Sequence, residues 1–421
     1  MSSAKKAPSK GFIAELFEDK LVALTIIVGA LGYFVDVFDL LLFTIVRVQS
    51  LKDIGVPAKD LLDAGVTIIS WQMAGLLLGG LLWGVLGDRF GRLSVLFGSI
   101  LLYSLANIAN AYVQTVDQYA VLRFITGLGL AGELGVGVTL ASELLPKRLR
   151  GLGTTLIATV GVMGASAAAI ISHYTDWRTA YIIGGVMGLV LLVLRVNVKE
   201  SGMYKKLAGG PKKVVRGDVL MLLTNWKLLR RYLAVICIGA PIWGVIGLLI
   251  MFTPEFARDF KLPIEPTAVD AVLYCYIGTT FGSFFSGALS QHLKSRRKSI
   301  AVSLGMLIVF LALFVTVKPQ TLFVYYGLCG LLGVAAGYWA MFVQVGAEQF
   351  GTNIRATAAT SIPNFVRGLT IPMTTAFRAM IPAIGVTYSG LTVMAVALSL
   401  AFIGLYSVKE TFHEELDYIE V

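Results

Sequence analysis

Charge is what this sequence has least of. Only 14% of its 421 residues are Asp, Glu, Lys or Arg, against 57% hydrophobic, and the mean hydropathy is +0.79. A chain this poor in polar side chains cannot coat a soluble globule of its size, so it is expected to lie in a membrane and to cross it many times. Histidine and cysteine are scarce as well, three of each. Cys237, Cys275 and Cys329 stand singly inside apolar runs, which gives neither a disulfide framework nor metal-ligand spacing. With no paired histidines, no ligand cluster and no nucleophile motif, neither an enzyme, a metal nor a cofactor is expected. No cleavable leader is expected either: Met1 to Lys10 is polar and basic, and no small-residue cleavage site precedes the first apolar run.

What is present is apolar length. Runs of about 18 residues or more, the length a bilayer requires, begin near Leu21, Ala64, Ser94, Asp117, Leu152 and Thr179, then near Tyr232, Ala268, Ser299, Gln320, Thr357 and Thr387. The expected organisation is an N-terminal six-helix bundle over 1–198, a basic cytoplasmic linker over 199–231, a C-terminal six-helix bundle over 232–407 and a tail over 408–421. The net charge of +10 would suggest nucleic acid in a soluble protein. Here most Lys and Arg sit in the loops that twelve crossings with both termini inside would put on the cytoplasmic side, so they read as topology signals and no nucleic-acid partner is expected.

The halves repeat. Glu143 and Arg150 after the fourth span recur at the same spacing as Glu348 and Arg355 after the tenth, and Lys199-Glu200-Ser201 recurs as Lys409-Glu410-Thr411. The loop Gly84-Val-Leu-Gly-Asp88-Arg89-Phe-Gly91-Arg92 has a counterpart from Gly287 to Arg297, in which Gln291 stands where the acid would be. This arrangement resembles the major facilitator superfamily, whose signature loop Gly84 to Arg92 matches. Arg123, Gly127, Gly129, Glu143, Pro146, Arg150 and the Glu-Ser and Glu-Thr endings look like its branch of sugar porters and metabolite:proton symporters. The resemblance implies an all-α membrane protein of twelve transmembrane helices, two six-helix repeats around a central cavity.

The ionisable residues inside the apolar runs are the candidate site, because insertion costs each about 2.5–3.5 kcal/mol and they persist only beside a partner or a watery cavity. Asp36 and Asp39 lie three apart, on one helix face. Asp39 and Arg123 both fall in the outer halves of antiparallel spans and can meet, as a proton-coupling contact or as a fixed ion pair. In sugar porters, which the sequence resembles, an Asp and an Arg matching these positions couple the proton. Asp36 is a second proton site or a cavity-lining acceptor. Glu133, roughly 15 Å along the helix from Arg123, reads as a lone buried acid able to take a proton, or as part of a hydrogen-bond network. Arg367 reads as the receptor of an anionic substrate, or as an inter-half partner of Asp36 or Glu133. Asn364, Trp243, Tyr338, Trp339 and Tyr274 are candidate wall residues. Arg47 and Arg378 either extend an attractive path or are solvated helix ends.

Gly84, Asp88, Arg89, Gly91 and Arg92, with Glu143, Arg150 and Glu200 and their copies Glu348, Arg355 and Glu410, read as gating groups. Asp88 is suited to a neighbouring helix N-terminus and to Arg150 or Arg92. The expected function is a proton-coupled symporter for a small organic anion in the plasma (inner) membrane, working as a monomer in the lipid bilayer. Left open are a sugar or polyol symporter, a phosphate:proton symporter, a proton-antiport exporter and a non-transporting sensor or scaffold.

Overall fold

In the computed structural model the described residues are 20–133, 135, 147–197, 219–263, 265–317, 319–412 and 418–420. Every regular element among them is helical, as an apolar surrounding demands, since only a helix or a closed barrel satisfies its own backbone there. The first half holds α1 (Lys20–Asp53), α2 (Leu61–Phe90), α3 (Arg92–Asn110), α4 (Val116–Leu130), α5 (Lys147–Tyr174) and α6 (Trp177–Leu194). After a short α7 (Val219–Thr224), α8 (Trp226–Gly244) runs through a π turn, Val245–Ile250, into α9 (Thr253–Asp259). Then follow α10 (Ala268–Leu293), α11 (Arg296–Thr316), α12 (Leu322–Ala336), α13 (Trp339–Glu348), α14 (Arg355–Gly368) and α15 (Thr370–Ser407). Helix α8 starts ahead of Tyr232, where the apolar run begins, because the Asn225 side chain accepts from the amides of Lys227 and Leu228.

Ten stretches among the described residues are long and apolar enough to cross a membrane. Two further crossings complete the expected set. Helix α4 has 15 described residues, and the stretch Arg355–Ser407, at 53 residues, is about 80 Å long, twice a bilayer. It is broken at Gly385, whose φ of 76° only glycine adopts readily. Asp259 then caps the segment beyond the break, accepting from the Thr387 amide at 3.0 Å.

Packing repeats as the sequence does. Helix α1 lies on α5 and α2 on α4; in the second half α8 lies on α14 and α15, and α10 on α12. The α2–α4 contact is backbone to backbone: a Cβ on Gly75 or Gly79 would enter the carbonyls of Phe124 or Leu128, and one on Gly127 that of Gln72. The α10–α12 contact copies it, with Gly278 and Gly282 against the carbonyls of Gly330 and Val334, and Gly333 against that of Cys275. Small residues let membrane helices approach this closely, and dispersion then holds them. Between the halves, α2 meets α14 and α5 meets α10. The end at which α1 starts is called basal below, the other distal.

These contacts give a paired expectation. Gly333→Ala, which drives a methyl into a backbone carbonyl, lowers stability by about 1–3 kcal/mol. Gly305→Ala, on α11 with nothing near its Cβ position, raises it by about 0.4–1 kcal/mol through helix propensity. Thermal unfolding of the two variants in detergent checks both signs.

Candidate functional site

Where the halves meet at mid-height they enclose a cavity. Tyr33, Val37 and Leu40 of α1 face Trp243 and Ile246 across it, and Tyr276, Trp339 and Arg367 complete the wall. Residues 33, 37 and 40 share a face by the 3.6-residue period, and the wide π turn after Gly244 carries Ile246 to the cavity beside Trp243. Only about 20 Å³ is open to the centre of a water molecule, room for one or two waters. The site is therefore closed around itself, and a substrate needs the halves to part.

Among the described residues, Arg367 is the charged one in its lining. The side chain is 1% exposed and donates through Nη2 to Asp36 Oδ2 at 3.3 Å and through Nη1 to Asn364 Oδ1 at 3.2 Å. Its guanidinium carbon lies 5.6 Å from the centre of the Trp339 ring, a cation–π contact. Trp339 in turn donates to the Tyr33 hydroxyl at 2.5 Å. Of the two partners considered for Arg367 in the sequence, Asp36 is the one it reaches.

Arg123 gathers the first half. It donates to Gln72 Oε1, Asn107 Oδ1 and the backbone carbonyl of Asp39, so it ties α1, α2, α3 and α4 together. The expected meeting of Asp39 and Arg123 thus takes place through the main chain, not the carboxylate. Both carboxylate oxygens of Asp39 are buried without a hydrogen-bond partner, and the missing side chain of Gly184 makes room for them. Glu133 departs from its reading as a lone acid. Arg195, in the turn after α6, donates to both of its oxygens, through Nη1 at 2.9 Å and through a shorter bond from Nη2. A Cβ on Gly32 would collide with this pair. The fork geometry is the strong one, and both side chains are at most 2% exposed.

Both ends are shut by contacts between the halves. At the basal end Asp88 accepts from the Thr357 amide at 2.9 Å and its hydroxyl at 2.7 Å, in the first turn of α14, where the helix dipole favours an anion. Asn364 donates to the Ala131 carbonyl at 2.9 Å, and Gly80 and Gly84 leave only backbone spacing between α2 and α14. At the distal end Arg47, 2% exposed, pairs with Glu255 at 3.4 Å and lies over Phe252. Arg378–Asp63 and His173–Asp270, both 3.0 Å, span the same gap at the surface. Arg47 is therefore a buried inter-half partner and not a solvated end, whereas Arg378, 47% exposed, is a solvated end that also pairs across the gap.

Other candidates are placed differently from expectation. Tyr274 is 44% exposed and stacks on Tyr326; it lies two residues, or about 200°, from Tyr276, which takes the inward face. Tyr338 is buried within the second half, its hydroxyl on the Ile238 carbonyl, while its neighbour Trp339 faces the cavity. Asn364 is a bridge between halves, with its Oδ1 on Arg367. Glu348 accepts from Arg296 at 3.4 Å, from Gln344 and from Thr411; Arg355 donates to the Phe350 carbonyl. Gly91, with φ 103°, ends α2, and Arg89 is exposed beside it. Glu143 and Glu200 lie outside the described residues, and so do the side chains of Arg92 and Arg150.

Glu410 caps α11, accepting from the Arg296 and Arg297 amides at 2.9 and 3.2 Å and from the Ser295 hydroxyl. Burial alone would raise its pKa; the hydrogen bonds from Ser295 and from these amides outweigh it and hold the carboxyl below its usual 4.5. Sequence reasoning missed Arg195 and, for Arg47, the partner Glu255. The signal of the two arginines was their place at the edge of an apolar run, which topology alone already explained.

The family model described as Major Facilitator Superfamily matches residues 22–375. The 4-hydroxybenzoate transporter PcaK of Pseudomonas putida is 40% identical over 143 residues, 32% of each chain. The sialic acid transporter NanX of Escherichia coli K12 is 26% identical over 396 residues, 89% of this chain and 91% of that one. Among solved structures, the proton:xylose symporter XylE superposes with a TM-score of 0.70 at 17% identity, over 94% of this chain and 98% of that one.

Two outcomes follow. Breaking the buried fork with Glu133→Gln lowers stability by about 3–5 kcal/mol, because Arg195 is left buried and unpaired, and Glu133→Gln/Arg195→Met recovers most of it; thermal unfolding of the single and double variants reads this. Glu410, with a depressed pKa, contributes stability that is complete above its unfolded value near 4.5 and is lost as pH falls through the folded one. The stability difference between the parent and Glu410→Gln is accordingly full at pH 7 and shrinks below pH 4.5, in unfolding curves recorded across that range.

Proposed function

Because the chain belongs to the major facilitator superfamily, and so is a multi-pass membrane transporter and not an enzyme, we propose that it moves a small organic anion together with a proton. The reading is of secondary active symport across the plasma (inner) membrane, with both termini cytoplasmic. It rests on Arg367: a guanidinium 1% exposed on the wall of a cavity between two halves, with its Nε unpartnered. A neutral sugar gains little from such a group, whereas a carboxylate matches its planar fork. The surrounding Tyr33, Trp243, Tyr276 and Trp339 suit a flat, largely apolar body. Relatives named for 4-hydroxybenzoate and sialic acid point the same way.

Alternating access then has its parts. The basal clasp at Asp88 and Thr357 and the distal pair Arg47–Glu255 are the contacts that break in turn as the halves rock about the central site. The proton is carried by an acid of α1, where Asp36 and Asp39 are both buried. Arg123 holds the backbone on which Asp39 stands, and Glu133, held by Arg195, serves the first half as a fixed support.

Uptake into proteoliposomes tests this. With the inside made alkaline, 4-hydroxybenzoate, nicotinate or sialic acid accumulates only while the pH difference lasts. Arg367→Gln lowers the rate about tenfold to hundredfold, the 1.5–3 kcal/mol of a buried hydrogen bond to a charged group. Accumulation of xylose instead, unchanged in Arg367→Gln, would overturn the anion reading.

A further inference from the structure

Within that reading of the site, the geometry points to a direct competition: the substrate's carboxylate and Asp36 contend for one edge of Arg367, and the proton that travels with the substrate is the one Asp36 takes up when it is displaced.

Arg367 presents two edges. The edge nearer Asn364 is occupied through Nη1. The other, made by Nε and Nη2, is half used: Asp36 accepts from Nη2 alone, at 3.3 Å, and Nε has no partner. Asp36 is likewise half used, for its Oδ1 has no partner either, although the residue is fully buried. Charge-assisted bonds of this type favour about 2.7–2.9 Å and two parallel N–H donors. The pair is thus long and single where a freely placed carboxylate would be short and double. Asp36 is tied to α1 and Arg367 to α14, so neither moves alone, whereas a substrate is free to choose its position. An anion that takes both Nε and Nη2 removes the one side-chain hydrogen bond that Asp36 has among the described residues.

Once displaced, Asp36 finds no second cation among the described residues. Arg123 is bound to Asp39, Gln72 and Asn107, and Arg195 is bound to Glu133. The other titratable groups that act on it or lie about it are Glu133 beyond α4, Asp39 and Tyr33 on α1, Tyr103 on α3 and Tyr276 on α10, all neutral or negative. A carboxylate buried among such neighbours without a counter-charge binds a proton from the open side. When the substrate leaves on the other side, Arg367 returns to Asp36 and the proton is released there. Substrate anion and proton therefore enter and leave together, and a monoanion crosses with no net charge.

The test is proton uptake on binding. The purified protein in detergent and weak buffer is titrated with 4-hydroxybenzoate and with nicotinate; binding is read from Trp fluorescence, to which Trp243 and Trp339 contribute, and protons from an indicator dye. The parent should take up about one proton per anion bound, and its affinity should fall about tenfold per unit of rising pH once Asp36 binds its proton only with the anion. Asp36→Asn should still bind, with no uptake and an affinity independent of pH, while Asp39→Asn should keep the uptake. Binding by the parent without protons, uptake that persists in Asp36→Asn, or uptake lost in Asp39→Asn would each overturn the proposal. Should Asp36→Asn not fold, Asp36→Glu, which restores the competing acid, should show the parent's uptake, and its absence counts against the proposal. If neither anion binds the parent at all, the organic-anion function itself fails, and the competition with it.

Discussion

A guanidinium placed between two halves of an apolar body must be answered by a negative charge. Much of the structure follows from how that is done. Arg367 comes from α14, and its answer, Asp36, comes from α1. The pair therefore joins the halves at mid-height and neutralises both charges at once, at a depth where neither could stand alone. Arg123 and the Glu133–Arg195 fork solve the same problem inside the first half, with carbonyls, amides and a bidentate pair. These internal answers are complete. The answer given to Arg367 is partial, and that incompleteness marks the site.

The two ends differ in kind from the middle. At the basal end the clasp is one carboxylate against the first turn of a helix, supported by glycines that bring α2 and α14 to backbone distance. At the distal end the contacts are ion pairs, one nearly buried and two at the surface. Exposed pairs contribute about 0–1 kcal/mol each, so of the three ion pairs only the buried Arg47–Glu255 is costly to break by removing one partner. Parting the halves means unpacking α2 from α14 at one end or α5 from α10 at the other, while the α2–α4 and α10–α12 pairs are locked carbonyl to glycine within each half.

Most of the fold was legible in the sequence because apolar length and the internal repeat are local signals. Helix α4 and the kink at Gly385 were covered by the same count of apolar runs. Asp88 was legible too, since a carboxylate at the end of a span suits a neighbouring helix N-terminus, although it stands in the last turns of α2 and not in a loop. What escaped was pairing. Glu133 read as alone because its partner, Arg195, lies 62 residues on and at the edge of a span, where a basic residue needs no explanation beyond topology. The pairing of Arg47 was hidden the same way, its partner Glu255 being 208 residues distant. Tyr274 and Tyr276 show a further limit: both are aromatic, two apart, and only the rotation of α10 about its axis decides which one faces the cavity.

The break at Gly385 separates two stretches of α15 whose outer corner is held by Asp259 through the Thr387 amide and hydroxyl. A helix that changes direction at a glycine has no intrinsic stiffness there, so its angle is set by whatever grips the corner. Here the grip comes from the end of α9, on the same crossing that supplies Trp243 and Ile246 to the cavity wall. The corner thus works as a pinned joint: a shift of α8 and α9 as the mouth opens is passed on to the last crossing as a change of tilt, with no helix having to bend along its length.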